Sequence, residues 1–346
     1  MRSDIHDDGP TVVYDPDAID WNRPGKHHYQ VAFPLDGSWG YSLVPLTVIN
    51  GRRGSSDDNV LVVGGTHGNE WEGQVAVKSL CRDLDPDQLA GRIVLIPQLS
   101  ESACAASSRW SPLDGVNMNR AFPGDPAGSI SFRIAHFVTS SIFPVVRVVI
   151  DIHSGGRDTR FPFVASFHPV ENIPQRREMA DVAKLFDTPF VMIYSSDMAS
   201  GLLTDEAEAA GKITIGTEFG YGESVDRRGV QHGYEGVRNV LRHYGLLSGS
   251  VTRIEPERTT PTRFIEAATL DGYIAAPSDG IWEPLIDPGD DVFTGQIVGR
   301  LHDFSSQASS PTPIGAPRDG VVLMMHFPAM TTKGQTLFSI GQEVPF

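Results

Sequence analysis

Four short stretches carry residue types that can hold a divalent cation, move a proton or grip an anion. The first is Gly64-Gly65-Thr66-His67-Gly68-Asn69-Glu70. A histidine and a glutamate three residues apart fall on one side of a turn, and both are good zinc ligands. The same spacing also suits a plain helix start, where Glu70 and Glu72 favour the helix dipole. The second stretch, Asp151-Ile152-His153-Ser154-Gly155-Gly156, closes an apolar run and offers another imidazole. Residues two apart on a strand share a face. Asp151 can therefore brace the metal site from behind by accepting from a ligand's second ring nitrogen. His67, Glu70 and His153 together leave a fourth tetrahedral position open, the pattern of a catalytic zinc rather than a structural one. One Zn2+ per chain is expected.

The third stretch is Ile215-Gly216-Thr217-Glu218-Phe219-Gly220. Glu218 stands at a strand end among small residues, where it can act as general base for water and then protonate a leaving amine. The fourth runs from Arg109 to Gly124 and has too many turn formers to be a helix. Arginine presents a planar fork that matches a carboxylate. Asn119 and Arg120 are the candidates for holding a substrate carboxylate, and Arg109 for polarising a scissile carbonyl and its oxyanion.

These residues need a scaffold that brings distant segments together. Gly64 and Gly65 let the chain turn sharply off a strand at Val60–Val63. Further strands are expected at Arg92–Pro97, Val145–Ile152 and Ile213–Phe219. Helices are expected at Glu72–Leu84, Ile130–Ser141, Glu171–Phe186 and Gly233–Tyr244, with Val75, Leu80 and Leu84 facing the core. Such alternation implies an α/β fold, a mostly parallel or mixed sheet with helices on both faces. Ligands in such folds bind beyond the carboxyl ends of strands, where the motifs fall. The catalytic domain is expected over residues 1–255, with an extended arm over 1–30.

A composition shift at Ser248–Thr262 reads as a linker, and residues 256–346 show no helical periodicity. Ala276-Pro277-Ser278-Asp279-Gly280 recurs as Ala316-Pro317-Arg318-Asp319-Gly320, and Gly295-Gln296 recurs as Gly334-Gln335. This internal duplication marks a C-terminal all-β domain that resembles the barrel-sandwich of biotinyl and lipoyl carriers. Those carriers need a lysine on the central hairpin, and Gly299 to Ile314 has none. A structural or site-shielding module is the better reading.

Bulk properties narrow the partners. The 346-residue chain carries a net charge of −15, which disfavours nucleic acid and anionic membrane surfaces. An anionic small molecule in a cationic pocket stays compatible with it. Two cysteines without a CxxC pattern, and no signal-peptide core, point to the cytoplasm. A homo-oligomer is compatible with this composition.

HGNE, NMNRAFPG, DIHSGG and GTEFG, in this order, resemble the succinylglutamate desuccinylase/aspartoacylase family, which is related to zinc carboxypeptidases. The resemblance spans about residues 40–345. It implies zinc ligands at His67, Glu70 and His153, a general base at Glu218, and substrate binding by Asn119 and Arg120; Asn117 in the same stretch is a further substrate-binding candidate. Arg109 corresponds to the carbonyl-polarising arginine. Where aspartoacylases carry Asp-Leu-Asn-Arg, this chain has Asn117-Met118-Asn119-Arg120. The form RxxPxDGxNxNRxFPG is most similar to the branch that deacetylates N-acetyl-2,4-diaminobutyrate in ectoine breakdown. That substrate's side-chain amine would need an acidic or aromatic contact, for which Tyr221, Glu223, Asp226 and Asp158 are candidates. Desuccinylation or deacylation of another N-acyl amino acid, peptide hydrolysis, and a non-catalytic binding module are the competing readings.

Overall fold

The computed structural model describes residues 9–195, 200–267, 269–305 and 307–346. Strands run in chain order as β1 (Thr11–Val13), β2 (Gly25–Pro34), β3 (Tyr41–Asn50), β4 (Val60–Gly64), β5 (Arg92–Ile96), β6 (Val148–Ile152), β7 (Thr159–Arg160), β8 (Val164–Phe167), β9 (Phe190–Tyr194) and β10 (Ile213–Glu218). The C-terminal strands are β11 (Arg263–Ala267), β12 (Tyr273–Ala275), β13 (Gly280–Pro284), β14 (Asp291–Val292), β15 (Ile297–His302), β16 (Thr312–Gly315), β17 (Gly320–His326), β18 (Met330–Thr331) and β19 (Thr336–Glu343). The α-helices are α1 (Trp71–Asp83), α2 (Glu101–Ala105), α3 (Ile130–Phe137), α4 (Ile173–Ala183), α5 (Leu203–Ala209) and α6 (Arg227–His243).

One mixed sheet has the order β1-β2-β3-β5-β4-β6-β10-β8-β9-β11-β19-β17-β14. At its centre β5, β4, β6 and β10 are parallel, and β4, β6 and β10 are adjacent. Three motifs far apart in sequence therefore leave the same sheet edge side by side. Every residue of β4 and β6 is buried, because both faces are covered, which explains their unbroken apolar runs. One face packs on α1, α4 and α6 through residues such as Leu80, Met179 and Val237. The other packs on α3, α5 and the Met118 segment.

Several details depart from the sequence reading. Residues 9–30 are not a free arm: β1 pairs parallel to β2, and β2 forms a ten-residue antiparallel ladder with β3. Residues 1–8 lie outside the described residues. Val75, expected in the core, is 39% exposed. Helix α3 ends at Phe137, and a wider turn over Val138–Ile142 leads to Pro144, which lacks the N–H to continue. Helix α6 starts six residues earlier than its apolar periodicity suggests, because Asp226 accepts from the backbone N–H groups of Arg228 and Gly229 as its N-cap.

The C-terminal strands form antiparallel layers, but among the described residues they do not close into a barrel. Strand β19 pairs with β11 and so joins the main sheet, while β16-β15-β13-β18 form a second sheet. The duplication is visible in the hydrogen bonds. Ala276 N donates to Gln335 O and Ala316 N to Gln296 O, both at 2.8 Å. Asp279 accepts from Lys333 N and Asp319 from Thr294 N, both at 2.7 Å. Each repeat thus caps a turn of the other.

Candidate active site

The glycines of the first motif are dictated by close approach. Gly65 has φ +67°, and a Cβ on Gly68 would sit 2.0 Å from the carbonyl carbon of Ala103. Gly68→Ala should therefore push α2 away and lower stability by about 1–3 kcal/mol, read from the thermal midpoint. The tight loop holds Glu70 at the N-cap position of α1, but its carboxylate makes no cap bond to the helix. It turns towards two imidazoles instead. Glu70 Oε1 lies 2.8 Å from His67 Nδ1 and Oε2 lies 2.8 Å from His153 Nδ1. The two rings are 4.9 Å apart, centre to centre.

The far nitrogen of each ring is already engaged. His67 Nε2 is 3.0 Å from Asn117 Oδ1, and His153 Nε2 is 2.7 Å from Asp151 Oδ2. With each Nε2 engaged outward, both Nδ1 atoms face the Glu70 carboxylate, so three ligand groups converge on one place. That donor chemistry fits a divalent cation with two nitrogen ligands and one carboxylate. Asp151 is itself fixed by Thr66 Oγ1 at 2.7 Å, and Ser154 N donates to Glu70 Oε2 at 3.1 Å.

The chain's own charges polarise this cluster. Burial disfavours a charge on Glu70, but His67 and His153 outweigh it and hold its carboxyl well below the ordinary value. Burial lowers His67. For His153, burial is overcome by Asp151 and Glu70, which push the imidazole well above its usual range. Glu218 is pushed up to about 8 by burial and then by the charge of Glu70. Its Oε2 is buried without a hydrogen-bond partner. A buried carboxyl oxygen with nothing to bond is costly unless a ligand uses it.

A cavity of about 300 Å3 opens over these groups and is lined by His67, Glu70, His153, Glu218, Arg109, Asn119 and Arg120. Arg109 Nη1 donates to Glu70 Oε1 at 3.1 Å. Arg120 bonds the backbone oxygen of Asn119, and among the described residues it has no carboxylate within ion-pair distance. Burial and then the charge of Arg109 disfavour its cationic form, so an incoming anion would be welcome there. Asn119 Oδ1 accepts from Leu203 N, and its Nδ2 approaches His153 Nε2 only to 3.5 Å. Because that ring nitrogen donates to Asp151, the Asn119 amide N–H remains available to the cavity.

Asn117 differs from the expectation. It does not line the cavity; its Oδ1 accepts from Asn119 N and faces His67, bracing a ring rather than a substrate. Tyr221, Glu223, Asp226 and Asp158 do not line the cavity either. Glu223 accepts from Asn69, Asp226 caps α6, and Tyr221 packs on Phe327. Glu72, read from the sequence only as a helix-dipole residue, is buried and bonded to Ser154 Oγ at 2.5 Å and Asp226 N at 2.8 Å, which ties the His153 strand end to the loop before α6. The sequence reading missed the wall built by Tyr194, Tyr273, Met324 and Ser339, the last three from the C-terminal strands. No local spacing betrays those four. A second His–Asp–Glu group, His168, Asp205 and Glu208, lies behind Tyr194. His168 Nδ1 bonds Glu208 Oε2 at 2.7 Å, bracing α5 against β8.

A strap links the site to the C-terminal strands. After His153 the chain forms β7, which pairs with β17, and Arg160 reaches Asp287 at 2.6 Å while lying 5.1 Å over the Tyr221 ring.

Comparison with known proteins agrees with this architecture. The succinylglutamate desuccinylase/aspartoacylase catalytic domain model matches residues 56–244. The chain is 33% identical over 331 residues to N-alpha-acetyl-L-2,4-diaminobutyric acid deacetylase of Halomonas elongata, covering 94% of each chain. Among solved structures it is similar to a succinylglutamate desuccinylase/aspartoacylase from Rhodobacter sphaeroides (TM-score 0.88, 30% identity, 95% of this chain and 98% of that one). It is also similar to the product-bound ectoine utilization protein EutE (DoeB) from Ruegeria pomeroyi (TM-score 0.86, 30% identity, 94% of this chain and 97% of that one). With the family model covering more than half its length and one relative matching nearly all of it, the chain belongs to the succinylglutamate desuccinylase/aspartoacylase family of deacylases.

Proposed function

We propose that this protein hydrolyses the amide bond of an N-acyl amino acid, with N-alpha-acetyl-L-2,4-diaminobutyrate as its substrate and one Zn2+ per chain as its cofactor. The observation that carries the reading is the convergence on one cavity of His67, Glu70 and His153, of Glu218 with its buried Oε2 unpartnered, and of Arg120 without an acidic partner among the described residues. The substrate assignment is supported by the deacetylase relative and the likeness to an ectoine utilization protein.

His67, Glu70 and His153 would hold the zinc, which when bound supplies Lewis acidity towards a carbonyl and water. The chain's own residues do the rest. Asn119 and Arg120 take the substrate carboxylate and so fix where the amide lies. Arg109 steadies negative charge growing on the acyl oxygen. Glu218 accepts a proton from the attacking water and returns it to the amine nitrogen as the carbon–nitrogen bond breaks. Water and amide thereby give a carboxylate and an ammonium group, both protons of the water ending on the amine nitrogen. Asp151 and Asn117 fix the ring orientation of His153 and His67.

Two expected results test the assigned roles. Asp151→Ala should weaken zinc affinity about 10–100-fold, measured by competition with a chelating dye. Arg120→Ala should cost about 1.5–3 kcal/mol of substrate binding, seen as a raised KM for carboxylate-bearing substrates. The function itself is tested by offering zinc-loaded protein N-acetyl-diaminobutyrate, N-acetyl-aspartate, N-succinyl-glutamate and short peptides. A preference for any of the last three would displace the proposed substrate.

A further inference from the structure

We propose that Gly216 and Ser166 form the floor against which the acyl group packs, and that they limit that group to a short, uncharged one. The inference rests on the deacylase reading above and extends it to the acyl side of the substrate.

Gly216 lies in β10 two residues before Glu218, so the two share a strand face, and both line the cavity. Glycine inside a strand weakens it and commonly marks a site of close approach. Neighbouring glycines have visible reasons to be glycine. Gly65, Gly156 and Gly220 take positive φ, and a Cβ on Gly155 would meet the Thr159 carbonyl oxygen at 2.1 Å. Gly216 has neither reason. Its φ lies outside the left-handed region, and a Cβ there would meet only one atom closely, Ser166 Oγ at 2.8 Å, the rotatable tip of a side chain. The protein's own packing hardly demands glycine, so the space serves what enters the cavity.

The position identifies the occupant. The amino-acid half of the substrate is held by its carboxylate at Asn119 and Arg120. The group beside Glu218 is then the other half, the acyl chain. The surroundings identify its character. Gly216 pairs with Ser166 across the β10–β8 ladder, Ser166 pairs with Met192, and the C-terminal strands add Met324 and Ser339. All are neutral, so none supplies a positive charge to offset the terminal carboxylate of a succinyl group.

The test uses the zinc-loaded full chain and four substrates that share diaminobutyrate and differ only in the acyl group: formyl, acetyl, propionyl and succinyl. Wild type should prefer acetyl to propionyl and to succinyl. Gly216→Ala should lower the acetyl-to-formyl ratio of kcat/KM about 10-fold or more, the usual effect of one methylene in a fitted pocket. Ser166→Ala, which enlarges the floor, should raise the propionyl-to-acetyl ratio by a comparable factor. Should Gly216→Ala fail to fold, judged by its thermal transition, the Ser166→Ala ratio decides alone. Ratios unchanged in the folded variants, with wild type active, would overturn the floor while leaving the deacylase reading intact. A wild type that cleaves none of the four would remove the parent reading and the floor with it.

Discussion

Glu218→Gln should bind zinc as wild type does and yet turn over about 100-fold or more slowly. Glutamine keeps the shape of the side chain but cannot accept the proton, so the change isolates proton transfer from packing. The effect should be large because nothing nearby can substitute. Glu70 is occupied with two imidazoles, and Asp151 is occupied with His153 and Thr66. The position of Glu218 also predicts a pH signature. Burial and Glu70 raise its proton affinity, so wild-type activity should climb with pH as this carboxyl loses its proton. In the glutamine variant that rise should be absent. A variant that keeps both its turnover and its pH-dependent rise would assign the base to another group.

Removing zinc should be equally damaging, and it should also loosen the fold. The ligands come from the loop after β4 and from the end of β6, so the ion would tie together two strand ends that no covalent bond joins. At an ion concentration a hundred times the dissociation constant, linkage contributes about 2.7 kcal/mol of stability. Chelation should therefore abolish hydrolysis and lower the thermal midpoint, and added Zn2+ should restore both. Glu70→Ala should imitate the chelated state even in excess zinc, because the two imidazoles lose the carboxylate that spans them. Full activity in a chelator, with no metal found by elemental analysis, would refute the metal reading.

Much of this architecture is legible in the chain because the functional residues follow unbroken apolar runs. Val60–Val63, the run ending at Ile152 and Ile213–Ile215 are buried on both faces, and such strands announce themselves by composition. In a parallel sheet their carboxyl ends must share an edge, so His67, Glu70, His153 and Glu218 can be placed together before any coordinate is known. Other features depend on pairing across long separations, which local patterns do not record. The β2–β3 hairpin is hidden because β2 opens with the polar run Lys26-His27-His28 and sets Gln30 between the core residues Tyr29 and Val31. Met324 and Ser339 reach the cavity only because β19 joins the main sheet through β11. Asn117 sits in a motif that invites a substrate role, yet the turn over Met118–Arg120 aims its oxygen at His67.

The strap formed by β7 has a consequence for motion at the site. Thr159 and Arg160 are locked into the ladder with β17, and only a few residues separate them from His153. A jaw-like parting of the C-terminal strands from the rest would drag that histidine out of place. The ladder between β7 and β17, backed by the Arg160–Asp287 ion pair, therefore opposes such a parting.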